Sequence, residues 1–74
     1  MEKKQVDLIL KSLLKEDKFR KLHLSLSTKR FYNGIVMSYD NEESLSFKDN
    51  KLGYIPILYS QIINVEPMMA KDGE

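Results

Sequence analysis

No cysteine occurs in the 74 residues, which excludes disulfides and every zinc site built on thiolates. The single histidine, His23, leaves any metal staple to carboxylates. A chain this short buries only about 60% of its unfolded surface and is marginal alone. With neither staple at hand, association between copies is the expected further source of stability. Apolar runs are short, none near the ~20 residues of a membrane span, and the N-terminal stretch lacks the pattern of a signal peptide. One soluble, cytoplasmic domain over residues 1–74 is the expectation. No Asp-x-Asp-x-Asp-Gly calcium pattern, phosphate-cradling glycine loop or serine with a histidine–carboxylate partner set is found. An enzyme, a cofactor, a metal and a small-molecule substrate are therefore not expected.

Net charge is also scarce, at +1, but it is unevenly spread. Residues 1–30 hold nine Lys/Arg against four Asp/Glu, whereas residues 31–74 hold three against seven. Any attraction to phosphate must arise in the N-terminal third.

Val6, Ile9, Leu10, Leu13 and Leu14 recur at i, i+3, i+4, i+7 and i+8, the apolar face of a helix. Glu2 and Asp7 early, with Lys15 and Lys18 late, suit the helix dipole. The spacing predicts a helix over residues 3–17. From Lys21 the period drops to two. Leu22, Leu24 and Leu26 alternate with His23 and Ser25, and this half-buried strand opens a β region over residues 21–67. A long apolar stretch from Phe31 toward Asn41 follows, then a strand through Leu45 and Phe47. A turn at Asp49-Asn50-Lys51-Leu52-Gly53 precedes a strand from Tyr54 to Leu58. The last strand runs from Ile62 to Glu66, stopped by Pro67, and residues 68–74 read as a frayed tail.

Glycine is rare, three in all, so its place in the long second strand matters. A strand that long serves a small barrel only if it bends, and Gly34 is the residue that tolerates a kink or bulge. Asp40, in the Tyr39-Asp40-Asn41 turn, is expected to accept turn N–H bonds. The fold class is therefore mainly β: an N-terminal helix followed by a five-stranded, strongly bent small barrel.

These elements, in this order, resemble the Sm-like proteins, the group that includes eukaryotic Sm and Lsm proteins, archaeal relatives and bacterial Hfq. The likeness spans residues 3–67. It rests on Leu22-x-Leu24-x-Leu26, Gly34-x-Val36, Asp40 six residues after the glycine, Leu45 and Phe47, and more loosely on Ile62, Val65 and Pro67. The resemblance implies a homo-oligomeric closed ring in which strand four of one subunit pairs with strand five of the next. Tyr54, Ile55, Ile57, Ile63 and Val65 are the implied interface. Pro56, lacking an N–H, removes one donor from strand four.

The resemblance also implies single-stranded RNA as a partner, read in a pore by a stacking residue, an asparagine and a cation-bearing pair. Here those positions are Glu42, Ser44 and the loop Leu58-Tyr59-Ser60. Stacking needs a π-face and phosphate needs positive charge, which Glu42 and Glu43 do not supply. Two like charges ~10 Å apart repel by roughly 0.4 kcal/mol even in water, and a ring multiplies that term. RNA is instead expected on a basic helix face built from Lys3, Lys4, Lys11 and Lys15, continued by Lys18, Arg20 and Lys21. Tyr39 or Tyr59 would stack a base if exposed. The alternatives are a protein–protein scaffold ring without RNA binding and an SH3-like peptide-binding adaptor.

Overall fold

The structure is a computed structural model and describes residues 1–68, so the tail expected beyond Pro67 lies, apart from Met68, outside the described residues. It is mainly β, with one helix followed by five antiparallel strands. Helix α1 spans Lys3–Leu13; strands β1 (Leu22–Leu26), β2 (Phe31–Ser38), β3 (Ser44–Asp49), β4 (Gly53–Leu58) and β5 (Ile62–Pro67) follow. A single 3-10 turn, Tyr59–Gln61, joins β4 to β5. The strands lie in the order β4-β3-β2-β1-β5, so the sheet is barrel-like but not closed. No helix of the described residues is long and apolar enough to cross a membrane.

Helix α1 begins with half of a capping box: Gln5 Oε1 accepts the Glu2 N–H at 3.2 Å. It ends at Leu13 rather than at residue 17. Beyond the Leu14 cap Asp17 forms a separate turn: its Oδ1 accepts the Phe19 N–H (2.9 Å) and its carbonyl accepts the Arg20 N–H (3.2 Å). Such a local side-chain bond competes with helical pairing. Arg20 Nη1 then donates to the Leu13 carbonyl left open at the helix end. Val6 and Leu10 are fully buried, and α1 packs on β5 and the 3-10 turn. Each such side chain contributes roughly 1.5–3 kcal/mol through burial.

The core follows the period-two pattern. Leu22, Leu24 and Leu26 of β1 meet Val36, Leu45, Phe47, Ile57, Ile62 and Val65 inside. Gly34 lies between Leu22 of β1 and Asp49 of β3 in the two registers. A Cβ there would collide with the Lys48 carbonyl oxygen, so the glycine permits close approach of β3. The register shift in β2 falls instead between Val36 and Ser38, beyond the glycine expected to carry it.

Asp49 is the structural acid of the sheet. It is buried, and its carboxylate accepts the N–H groups of Asn33 (3.2 Å), Lys51 (2.8 Å) and Leu52 (2.9 Å). The role expected of Asp40 is filled in its own turn by Asn41, whose Oδ1 accepts the Glu43 N–H at 2.9 Å, while Asp40 is exposed.

Hydrogen-bond phase decides what the open edges present. The Tyr59 N–H donates to the Glu43 carbonyl, so in the β3–β4 register Leu45–Ile57 and Phe47–Ile55 are bonded pairs. Tyr54, Pro56 and Leu58 therefore turn their backbone groups to the open β4 edge. On β5 the Met68 N–H bonds the Lys21 carbonyl, which turns Val65 and Pro67 to the other open edge. Each edge thus carries one proline without a donor.

Candidate nucleic-acid interface

The expected pore positions do come together. Glu42, Leu58, Tyr59 and Ser60 line one recess of about 510 Å³ with Met1, Glu2, Lys3 and Glu43. Ser44, half-buried at the start of β3, pairs with Leu58 beside it. Tyr59 cannot stack a base there, because it is only 3% exposed and its hydroxyl donates to the Tyr39 carbonyl at 3.1 Å. Burial pushes its phenol pKa up, partly offset by the Lys3 ammonium 5.6 Å above the ring.

Lys3 does not belong to a free basic face. Its ammonium pairs with Asp7 Oδ2 at 2.8 Å, and that hydrogen bond holds its pKa above the usual lysine value. Lys4, Lys11, Lys15, Lys18, Arg20 and Lys21 are exposed, and three of them border two different recesses. Lys11 and Lys18 flank a cleft of about 370 Å³ between the helix end and β2, with Leu14, Phe19, Val36, Met37 and Tyr39. Lys21 faces a separate recess with Ile35, Lys48 and Asn50. The early helix stop takes Lys15 and Lys18 off the helical path that would have aligned them with Lys4 and Lys11.

Phe19 is the residue that helical periodicity passes over. It is 63% exposed, and it stands between Lys18 and the Arg20-Lys21 pair. An aromatic set within a basic run is the signal that marks it. The half-buried Tyr39 and exposed Met37 supply further flat or polarizable surface in the same cleft.

The expected interface residues divide by burial. Ile57 and Val65 place their side chains in the core of the single chain and Ile55 is half-buried against it, whereas the Val65 backbone faces the open β5 edge. Tyr54 and Ile63 are exposed on β4 and β5, as is Leu58. A register shift where Ser25 and Leu26 of β1 meet β5 explains the β5 division. It turns Ile62 and Val65 inward together and leaves Ile63 outside, where strict alternation puts Ile63 and Val65 on one face. Comparison with protein-family models, with curated proteins and with solved structures finds no match to this chain.

Proposed function

We propose that this chain is an Sm-like subunit that associates through its β4 and β5 edges into a ring. On this reading it binds single-stranded RNA at the helix-side cleft rather than in a uridine pocket. The observation that carries the RNA reading is the exposed Phe19 ring beside Lys11 and Lys18, a stacking surface next to phosphate-binding charge. The recess at the pore positions offers Glu42 and Glu43 and a buried Tyr59 instead. Two open edges with exposed Tyr54, Leu58 and Ile63 support association.

The test is a titration of oligo-U and oligo-A at several salt concentrations, with native mass spectrometry of the same samples. Binding that weakens with salt, and weakens further in Phe19→Ala and in Lys11→Glu/Lys18→Glu, is the expected result. A ring that binds neither oligomer defeats the RNA reading and leaves the scaffold ring. A monomer at every concentration defeats the ring.

A further inference from the structure

Phe19 stands on a held stretch of backbone. Asp17 Oδ1 accepts the Phe19 N–H at 2.9 Å, and the Asp17 carbonyl accepts the Arg20 N–H at 3.2 Å. Arg20 Nη1 reaches the Leu13 carbonyl at 3.3 Å, which ties the segment back to the end of α1. The main chain on both sides of Phe19 is thus fixed while its ring stays exposed. Order already present in the free protein lowers the cost of stacking a second ring on it. Arg20 is engaged in that tie, so Lys11 and Lys18 are the cations at the cleft.

The remaining walls of the cleft are Leu14, Val36, Met37 and Tyr39. Among the described residues, no amide, carboxylate or guanidinium side chain lines it. Those are the groups that tell bases apart by paired hydrogen bonds to their edges. The one hydroxyl, on Tyr39, both donates and accepts, so it favours no particular edge. A lysine ammonium is a point charge on a flexible stem, and it meets a phosphate without fixing a base. The face of Phe19 stacks on any base. Beyond the Tyr39 hydroxyl, these side chains offer no fixed polar group to the ribose 2′-hydroxyl, the group by which RNA is told from DNA.

We propose that this cleft takes single-stranded nucleic acid without regard to base or sugar, DNA as readily as RNA. The inference rests on the reading of the cleft as the nucleic-acid site, and it names the class of strand that site accepts. A base stacks on Phe19, and the phosphates beside it are drawn to Lys11 and Lys18. Within a duplex each base is covered by its neighbours and must leave the stack to be reached, so the ligand is a single strand.

Titration of the full chain with oligo-U, oligo-A, oligo-dT and oligo-dA of equal length, at one salt concentration, tests this. The four affinities are expected to agree within about threefold, since stacking tolerates every base. Phe19→Ala lowers all four by a common factor of at least about fivefold, the lower end of what one stacked base contributes. Asp17→Asn keeps the acceptor and removes an anion, so it binds at least as tightly as wild type. Asp17→Ala loses the acceptor as well and binds more weakly than Asp17→Asn. The chain has no tryptophan, so Phe19→Trp places a single indole at the cleft. Each of the four strands quenches its fluorescence, and a duplex of the same length does not. A preference above about tenfold for one base, or for RNA over DNA, is the mark of edge or sugar readout and overturns the proposal. So does a Phe19→Ala loss confined to one of the four strands. Binding of none of them, or binding that leaves the Phe19→Trp signal unchanged, overturns the reading of the cleft itself and this proposal with it.

Discussion

The Tyr59 hydroxyl donates to the Tyr39 carbonyl at 3.1 Å, tying the turn before β5 to the end of β2 across the mouth of the core. One bond thus links the two turns that resemblance marks for RNA, and it removes the aromatic ring from that task. Tyr59→Phe is expected to lose about 0.5–1.5 kcal/mol, the worth of one hydrogen bond. Tyr59→Ala is expected to lose roughly 3–5 kcal/mol by opening a core cavity. Urea denaturation reads both, and a Tyr59→Ala protein as stable as wild type would show the ring is not part of the core.

The glycines separate by cause. Gly34→Ala puts a methyl group into the Lys48 carbonyl and is expected to cost about 1–3 kcal/mol or more, with Gly34→Val worse. Gly53 has open space around it but φ +80°, so Gly53→Ala is expected to cost only roughly 1 kcal/mol of backbone strain. Thermal melts that rank the two alanine variants in reverse would contradict the close approach of β2 and β3.

Asp49 sets an acid limb on stability. Hydrogen bonding, first from the Leu52 N–H and then from Lys51 and Asn33, holds its pKa below the ordinary carboxylate value against the opposing effect of burial. A folded value below the unfolded one means the stabilisation is complete above the unfolded pKa and is lost as pH falls through the folded one. Asp49→Asn offers one acceptor oxygen where the carboxylate uses two, and about 1–3 kcal/mol is the expected loss at neutral pH. Melting temperature against pH should fall less steeply below about pH 4 in that variant than in wild type.

Ile57 and Ile63 are predicted to part company. Ile57 is 2% exposed, and Ile57→Lys buries an unpaired charge and unfolds the single chain. Ile63 is 59% exposed, and Ile63→Lys leaves the fold intact while weakening any contact through the β5 edge. Circular dichroism with size-exclusion chromatography distinguishes them. A folded Ile57→Lys protein would place that side chain outside the core.

Sequence alone determined what depends on near neighbours. The three- and four-residue spacing of Val6, Ile9 and Leu10 specified a helix with one apolar face, and the alternation of Leu22, Leu24 and Leu26 specified a strand with one buried face. The order of elements and the mainly β class followed from those periods. Tertiary structure decided what depends on contacts between distant residues. The helix stops at Leu13, Arg20 bonds its open Leu13 carbonyl, and Asp17 holds a separate turn, so Lys15 and Lys18 lie off the helix. The Lys48 carbonyl, fourteen positions from Gly34 in the sequence, gave the glycine its reason. A register shift against β1 broke the alternation that would have put Ile63 and Val65 on one face. Asp40 and Asp49 are the same residue type in similar turns, and only the N–H groups that β2 and the β3–β4 turn bring to a carboxylate made Asp49 the buried one. Periodicity is a property of one segment, whereas burial, register and hydrogen-bond phase belong to pairs of segments and exist only once they meet.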